Sequence, residues 1–152
     1  MKPFEFKLKT VLEVRVSEEA RASGIHSEAK TFLEEAQKQK RAMEEAIESN
    51  LTACQQAFDG QVALGTLAHL QTALRELRGQ LGELVPVVAE RQAHVDVKWK
   101  ELLVARQRRE ALEKMRDKQQ SEFERGVAQA EQKAIDEMVL MGEAGGFTNK
   151  LQ

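Results

Sequence analysis

Tyrosine is absent from this chain, and proline, cysteine and tryptophan nearly so: two Pro, one Cys and one Trp in 152 residues. A single cysteine cannot close an internal disulfide, which excludes a disulfide-stapled secreted domain. No apolar run approaches the ~18 residues that a membrane span needs. The longest, Leu84 to Ala89, contains a proline. The opening MKPFEFKLK lacks the apolar stretch of a signal peptide. With 23 basic and 25 acidic residues the net charge is −2, so the usual electrostatic footprint of nucleic-acid binding is missing. No glycine-rich loop ending in Gly-Lys-Ser/Thr is present, so the chain is not expected to hydrolyse nucleotide. What remains is 41% hydrophobic and 32% charged residues, dominated by Ala, Glu, Lys, Leu, Arg and Gln. That composition is the signature of long helices or coiled coil.

Helix-breaking residues divide the chain. Pro3 stands at the start and Pro86 in the middle, while Gly60, Gly65, Gly79 and Gly82 fall between Phe58 and Pro86. Gly142, Gly145 and Gly146 mark the tail; only Gly24 and Gly126 interrupt the remainder, each at about 1 kcal/mol relative to Ala. The expected organisation is one coiled-coil rod: a first long helix over 4–57, a broken connector with a short helix over 58–85, a second long helix over 86–141 and a flexible tail over 142–152. Pro86 suits a first helical turn, where its missing N–H is not needed.

Both long segments carry apolar residues at steps of three and four, close to the 3.5 spacing of a left-handed coiled coil. In the first they are Phe4, Leu8, Val11 or Leu12, Ala22, Ile25, Ala29, Phe32 or Leu33, Ala36, Met43, Ile47 and Cys54. In the second they are Val95, Trp99, Leu102, Ala105, Leu112, Met115, Phe123, Val127, Ala130, Ala134, Met138 and Met141, interrupted by Arg109 and Gln119. A stripe this narrow suits a two-helix seam. The fold class expected is therefore all-α: a long antiparallel two-helix coiled-coil hairpin with a short helical connector at the bend.

Charge supports the antiparallel choice. Between Glu18 and Glu48 there are eight acidic and five basic residues; between Lys98 and Lys118, eight basic and four acidic. A fold-back that sets Ala57 near Val87 brings these stretches together. It places Phe32 near Leu112, Met43 and Ile47 near Trp99, His94 near Asn50 and His26 near Lys118. A parallel homodimer would set like charges side by side, so a monomer is expected.

The connector is poor in charge and carries Leu67, Leu70, Leu74, Leu77, Leu81 and Leu84 at helical spacing. These leucines either cap the end of the coiled coil or present an apolar patch to a partner. The basic cluster Arg106, Arg108 and Arg109 either pairs with the acidic first helix or meets an acidic protein surface. His26, His69 and His94 show no metal-binding spacing, and no histidine is placed to activate Cys54. No catalytic group, metal or cofactor is expected.

Three stretches resemble one family. FEFKLKTVLEVRVSEEARA, with Phe4, Phe6, Leu8, Leu12, Arg15, Glu18 and Glu19, is similar to the opening of FliJ, a coiled-coil component of the flagellar type III export apparatus. RREALEKMRDKQQ (Arg108 to Gln120) resembles the family's second-helix signature, and EQKAIDEM (Glu131 to Met138) its late charged motif. The resemblance implies a non-enzymatic stalk that promotes assembly and activity of the hexameric export ATPase, contacts the cytoplasmic domain of the membrane export gate and escorts export chaperones. It implies a cytoplasmic protein held peripherally at the inner membrane, without insertion and without nucleic acid. The ATPase-ring end would hold Phe4, Leu8, Leu12 and Arg15 opposite Ala134, Ile135, Met138 and Met141. The gate-facing positions would be Gln39, Met43, Ala73, Leu77, Gln80 and Leu84, with Asn50 beside them. The alternatives are a virulence-system stalk of the same family and a generic coiled-coil scaffold without an ATPase partner.

Overall fold

A computed structural model describes residues 2–60 and 63–150, with the side chains of 145–150 outside that description. Two helices account for nearly all of it: α1, Lys9–Asp59, of 51 residues, and α2, Leu64–Lys150, of 87. No strand occurs among the described residues. The two helices pack against each other as an antiparallel hairpin, the expected fold class.

The helix ends differ from expectation. α1 starts at Lys9, not at Phe4. Before it, Phe4 and Phe6 are half-buried while Glu5 and Lys7 are exposed, the alternation of an extended strand of chain. Lys9 N–H then donates to Phe6 O at 3.1 Å and Leu12 N–H to Leu8 O at 2.9 Å, opening the helix. At its far end Gly60 N–H closes onto Gln56 O at 3.0 Å, glycine being a common residue just beyond a helix. α2 begins almost at once, with Thr66 and Leu67 N–H donating to Ala63 O at 3.0 and 3.4 Å.

The broken connector is therefore corrected. α1 ends at Asp59 and α2 begins at Leu64, so the leucine segment is the first part of α2; residues 61 and 62 of the expected connector lie outside the described residues. Pro86 starts no helix; it lies inside one. The physical reason is where the breakers point. Gly65, Gly79 and Gly82 each face open space, so they cost only their propensity, about 1 kcal/mol apiece. Pro86 is exposed, as is Gly82 four residues earlier; the Gly82 carbonyl that loses its N–H partner can turn to water. α2 likewise runs through the exposed Gly142 to Lys150, past the end expected at 141. Leu151 and Gln152 of the expected tail lie outside the described residues.

Packing divides the hairpin into two units, one of residues 18–105 and one of residues 1–17 with 106–152. In the first, the inward positions of α1 run Glu19, Ala22, His26, Ala29, Leu33, Ala36, Lys40, Met43, Ile47, Asn50, Cys54 and Ala57, all buried or half-buried. Those of α2 run Leu67, Leu70, Leu74, Leu77, Leu81, Leu84, Val88, Arg91, Val95, Lys98, Leu102 and Ala105. Steps of three and four alternate without a fault, as a seven-residue repeat requires. Small residues on α1 oppose larger ones on α2: Ala29 at 3% exposure packs with Leu33, Val95 and Val88, and Ala36 is fully enclosed at 0%.

The register also differs. Phe32 meets Arg91 rather than Leu112, and His26 meets Trp99 rather than Lys118. With those pairs fixed, Met43 and Ile47 lie far from Trp99, and Asn50 far from His94. With α1 ending at Asp59 and α2 beginning at Leu64, the six leucines face the second half of α1. The expected register would have left them at the tip with nothing opposite.

Candidate functional site

In the unit that holds the start of α1, the N-terminal segment folds onto α2. The Phe4 and Phe123 rings lie 5.7 Å apart, tilted at 48°, a favourable aromatic geometry. Leu12 is buried and Arg15 half-buried, while Leu8 stands at the surface. A groove of ≈ 500 Å³ is lined by Phe4, Phe6, Lys9, Leu12, Glu13, Val16, Glu113, Arg116 and Gln120. Phe4 thus pairs with Phe123, and the expected juxtaposition of the N-terminal residues with Ala134, Ile135, Met138 and Met141 is not found. The cause is the same register.

Beyond Phe123 the described side chains of α2 are exposed, apart from half-buried Val127. Five large apolar residues stand close together there: Ile135 at 53% exposure, Met138 at 72%, Val139 at 53%, Leu140 at 64% and Met141 at 77%. An apolar run this exposed marks a surface that a partner covers more often than an isolated exposed side chain does.

The residues assigned to the gate come together in the other unit. Counting from the Phe32–Arg91 contact, the seven-residue repeat sets Gln39 level with Leu84, Met43 with Gln80 and Asn50 with Ala73. Met43, Leu77 and Leu84 occupy inward seam positions and are half-buried, as is Ala73; Gln39 and Gln80 are exposed. The group therefore consists of seam residues and, at its edge, residues open to solvent.

The basic cluster separates. Arg108 is exposed, whereas Arg106 and Arg109 are half-buried. Arg109 Nη1 lies 2.6 Å from Glu113 Oε2 and its Nη2 3.8 Å from Glu110, with 22% of its side chain exposed. It interrupts the apolar stripe but not the seam, because its aliphatic stem packs while its guanidinium stays paired. Lys40, Arg91 and Lys98 likewise stand at seam positions. Arg91 Nη1 donates to the Phe32 carbonyl at 2.7 Å and its guanidinium carbon lies 5.6 Å from the Phe32 ring centre. Counting apolar residues alone misses these positions; counting every third and fourth residue whatever its polarity finds them.

The ion pairs Lys40–Glu44, Lys98–Glu101 and Arg109–Glu113 each lie within one helix and are worth a few tenths of a kcal/mol each. Cys54 Sγ donates to Asn50 Oδ1 at 3.4 Å, and His69 and His94 are exposed. Among the described residues no cluster of three or more His, Cys, Asp or Glu could hold a metal ion. No helix among them is long and apolar enough to cross a membrane.

A family model described as flagellar FliJ protein matches residues 4–144. No curated protein matches the chain. A solved structure from Chlamydia trachomatis, whose description proposes a YscO homolog, is 20% identical and covers 98% of this chain and 97% of its own, with a TM-score of 0.43.

Proposed function

Since this chain belongs to the FliJ family of type III export proteins, we propose that it serves as the stalk of the flagellar export ATPase. It has no chemistry of its own in this reading; it promotes assembly and turnover of the hexameric ring. The observation that carries the reading is the exposed apolar run from Ile135 to Met141 on α2, in the unit that also contains Phe4, Leu8, Leu12 and Arg15. These residues form the ring-facing end. Polar neighbours such as Lys133, Asp136 and Glu137 keep that contact light, which suits a stalk that has to move within a ring.

The gate's cytoplasmic domain docks on the other unit, through the edge formed by Gln39, Ala73 and Gln80 over Met43, Leu77 and Leu84. Arg108, with Arg106 and Arg109 beside it, offers a basic contact for an acidic partner surface. Export chaperones are escorted by the same protein, which stays in the cytoplasm and reaches the membrane through the apparatus.

The experiment is the ATPase rate of the cognate export ATPase during titration with this protein, with an unrelated coiled coil of matched charge as control. Stimulation that saturates near one stalk per ring is expected. An unchanged rate, with ring assembly also unchanged, would overturn the stalk reading.

A further inference from the structure

One side of the 18–105 unit carries a groove that neither helix fills. A hollow of ≈ 570 Å³ within it is bounded by Ala29 and Phe32 from α1 and by Val87, His94 and Val97 from α2. Phe32 is 57% exposed and Val97 51%. The packing of the hairpin gives no reason for leaving a phenylalanine this open, since its neighbour Leu33 already fills the seam at 8%. Phe32 is nonetheless held in place, by Arg91 under its ring and on its carbonyl.

The seven-residue repeat continues this groove along both helices. On α1 the row of Phe32 contains Ile25, Gln39, Ala46 and Ala53; on α2 the row of Val87 contains Ala73 and Gln80. None of these is charged. The next row outward is different. On α1 it holds Glu28 and Glu35, and on α2 Glu76, Glu83 and Glu90, all exposed. Glu28 and Glu35 share a surface hollow with Phe32, and Glu90 lines the larger hollow. Between Glu28 and Ser49, and between His69 and Val97, those rows contain no Lys or Arg. The cations near the floor are already engaged, Arg91 by Phe32 and Lys98 by Glu101 at 3.2 Å.

We propose that this groove receives a third helix from a partner protein, an amphipathic helix with an apolar stripe flanked on both sides by Lys or Arg. Two packed helices leave a furrow that a third helix fills, as in helix bundles. The uncharged strip with its repeat of seven matches a helical stripe, and glutamates on both edges select the flanking charge. The acidic rim opposes nucleic acid. Phe32 is the anchor, the one rigid aromatic side chain in its row. Gln39, Ala73 and Gln80 also form the edge proposed for the gate, so this inference rests on that reading and gives the docking segment its chemistry; the assay below contains neither ATPase nor gate, so the peptide preference and the gate reading can fail separately.

The test uses the full chain and two synthetic three-heptad peptides. Both carry Leu and Ala in their seam positions; one has Lys in the flanking rows and the other Glu. Binding is read from the fluorescence anisotropy of a labelled peptide. The Lys peptide is expected to bind at least tenfold more tightly than the Glu peptide, with the difference shrinking as salt rises. Phe32→Ser weakens the Lys peptide about tenfold. The pair Glu35→Lys and Glu90→Lys reverses the preference toward the Glu peptide, while Glu48→Lys on the opposite side leaves it unchanged. Circular dichroism checks that each variant keeps its helicity. Equal binding of the two peptides, no binding of either at millimolar concentration, or a double variant that fails to reverse the preference would overturn the proposal.

Discussion

At the scale of single residues the seam is tightest where its side chains are smallest. Ala36 has no exposed surface and Ala29 has 3%, so the backbones approach there and leave no room for growth. Ala36→Leu is expected to lower stability by about 1–3 kcal/mol, the usual cost of overpacking, seen as a lower urea midpoint. Arg91 has a different role. It joins the helices by a charged donor on a backbone carbonyl and by lying over Phe32. Arg91→Ala should cost about 1 kcal/mol, and Arg91→Lys should recover less than half, because a compact ammonium cannot both sit over the ring and donate to the carbonyl as the broad guanidinium does. Equilibrium unfolding of the two variants beside the parent checks both statements.

At the scale of elements, α2 keeps its course through residues that would end many helices. Pro86→Ala restores an N–H to the Gly82 carbonyl at an exposed site and should raise stability by about 1–3 kcal/mol. Gly82→Ala, where a Cβ meets nothing within 4 Å, should add about 1 kcal/mol. A fall in thermal midpoint for either would mean that the helix is bent there for a reason other than tolerance. The same region shows what can be read from sequence. The two helices and most of the α1 stripe follow from spacing, and their antiparallel order from the charge blocks on the two segments. The register does not. Local breakers at Gly79, Gly82 and Pro86 argue for a loop, while the leucines from 67 to 84 argue for a seam, and burial of six leucines outweighs the local costs. Polar seam residues hide the rest: Lys40, Arg91, Lys98 and Arg109 look like faults in an apolar stripe, yet each holds its place in the repeat.

For the whole molecule, the proposed docking surfaces can be separated from the fold by exposure. Met138 is 72% exposed, so Met138→Asp should leave the helical signal and thermal midpoint intact while reducing stimulation of the export ATPase several-fold. Leu77, by contrast, is half-buried in the seam. An aspartate there would open the hairpin as well as any docking surface, so Leu77→Asp cannot report on the gate alone. Exposed Gln80 is the cleaner site. Gln80→Glu should weaken binding of the gate's cytoplasmic domain without a change in the urea midpoint; unchanged affinity would remove Gln80 from that surface. Phe4 and Met138 do fall in one packing unit, but which residues face each other depends on a register that only packing decides.

Trp99 is the one indole in the chain, and its ring lies 5.3 Å from that of His26 on the other helix. Its emission therefore senses whether α1 and α2 are together, whereas circular dichroism senses whether each is helical. If the two signals melt as one curve, pairing and helix formation are a single cooperative event. If the fluorescence changes first, the hairpin parts while its arms are still helical, and the chain carries its own label for watching that opening during encounter with a partner.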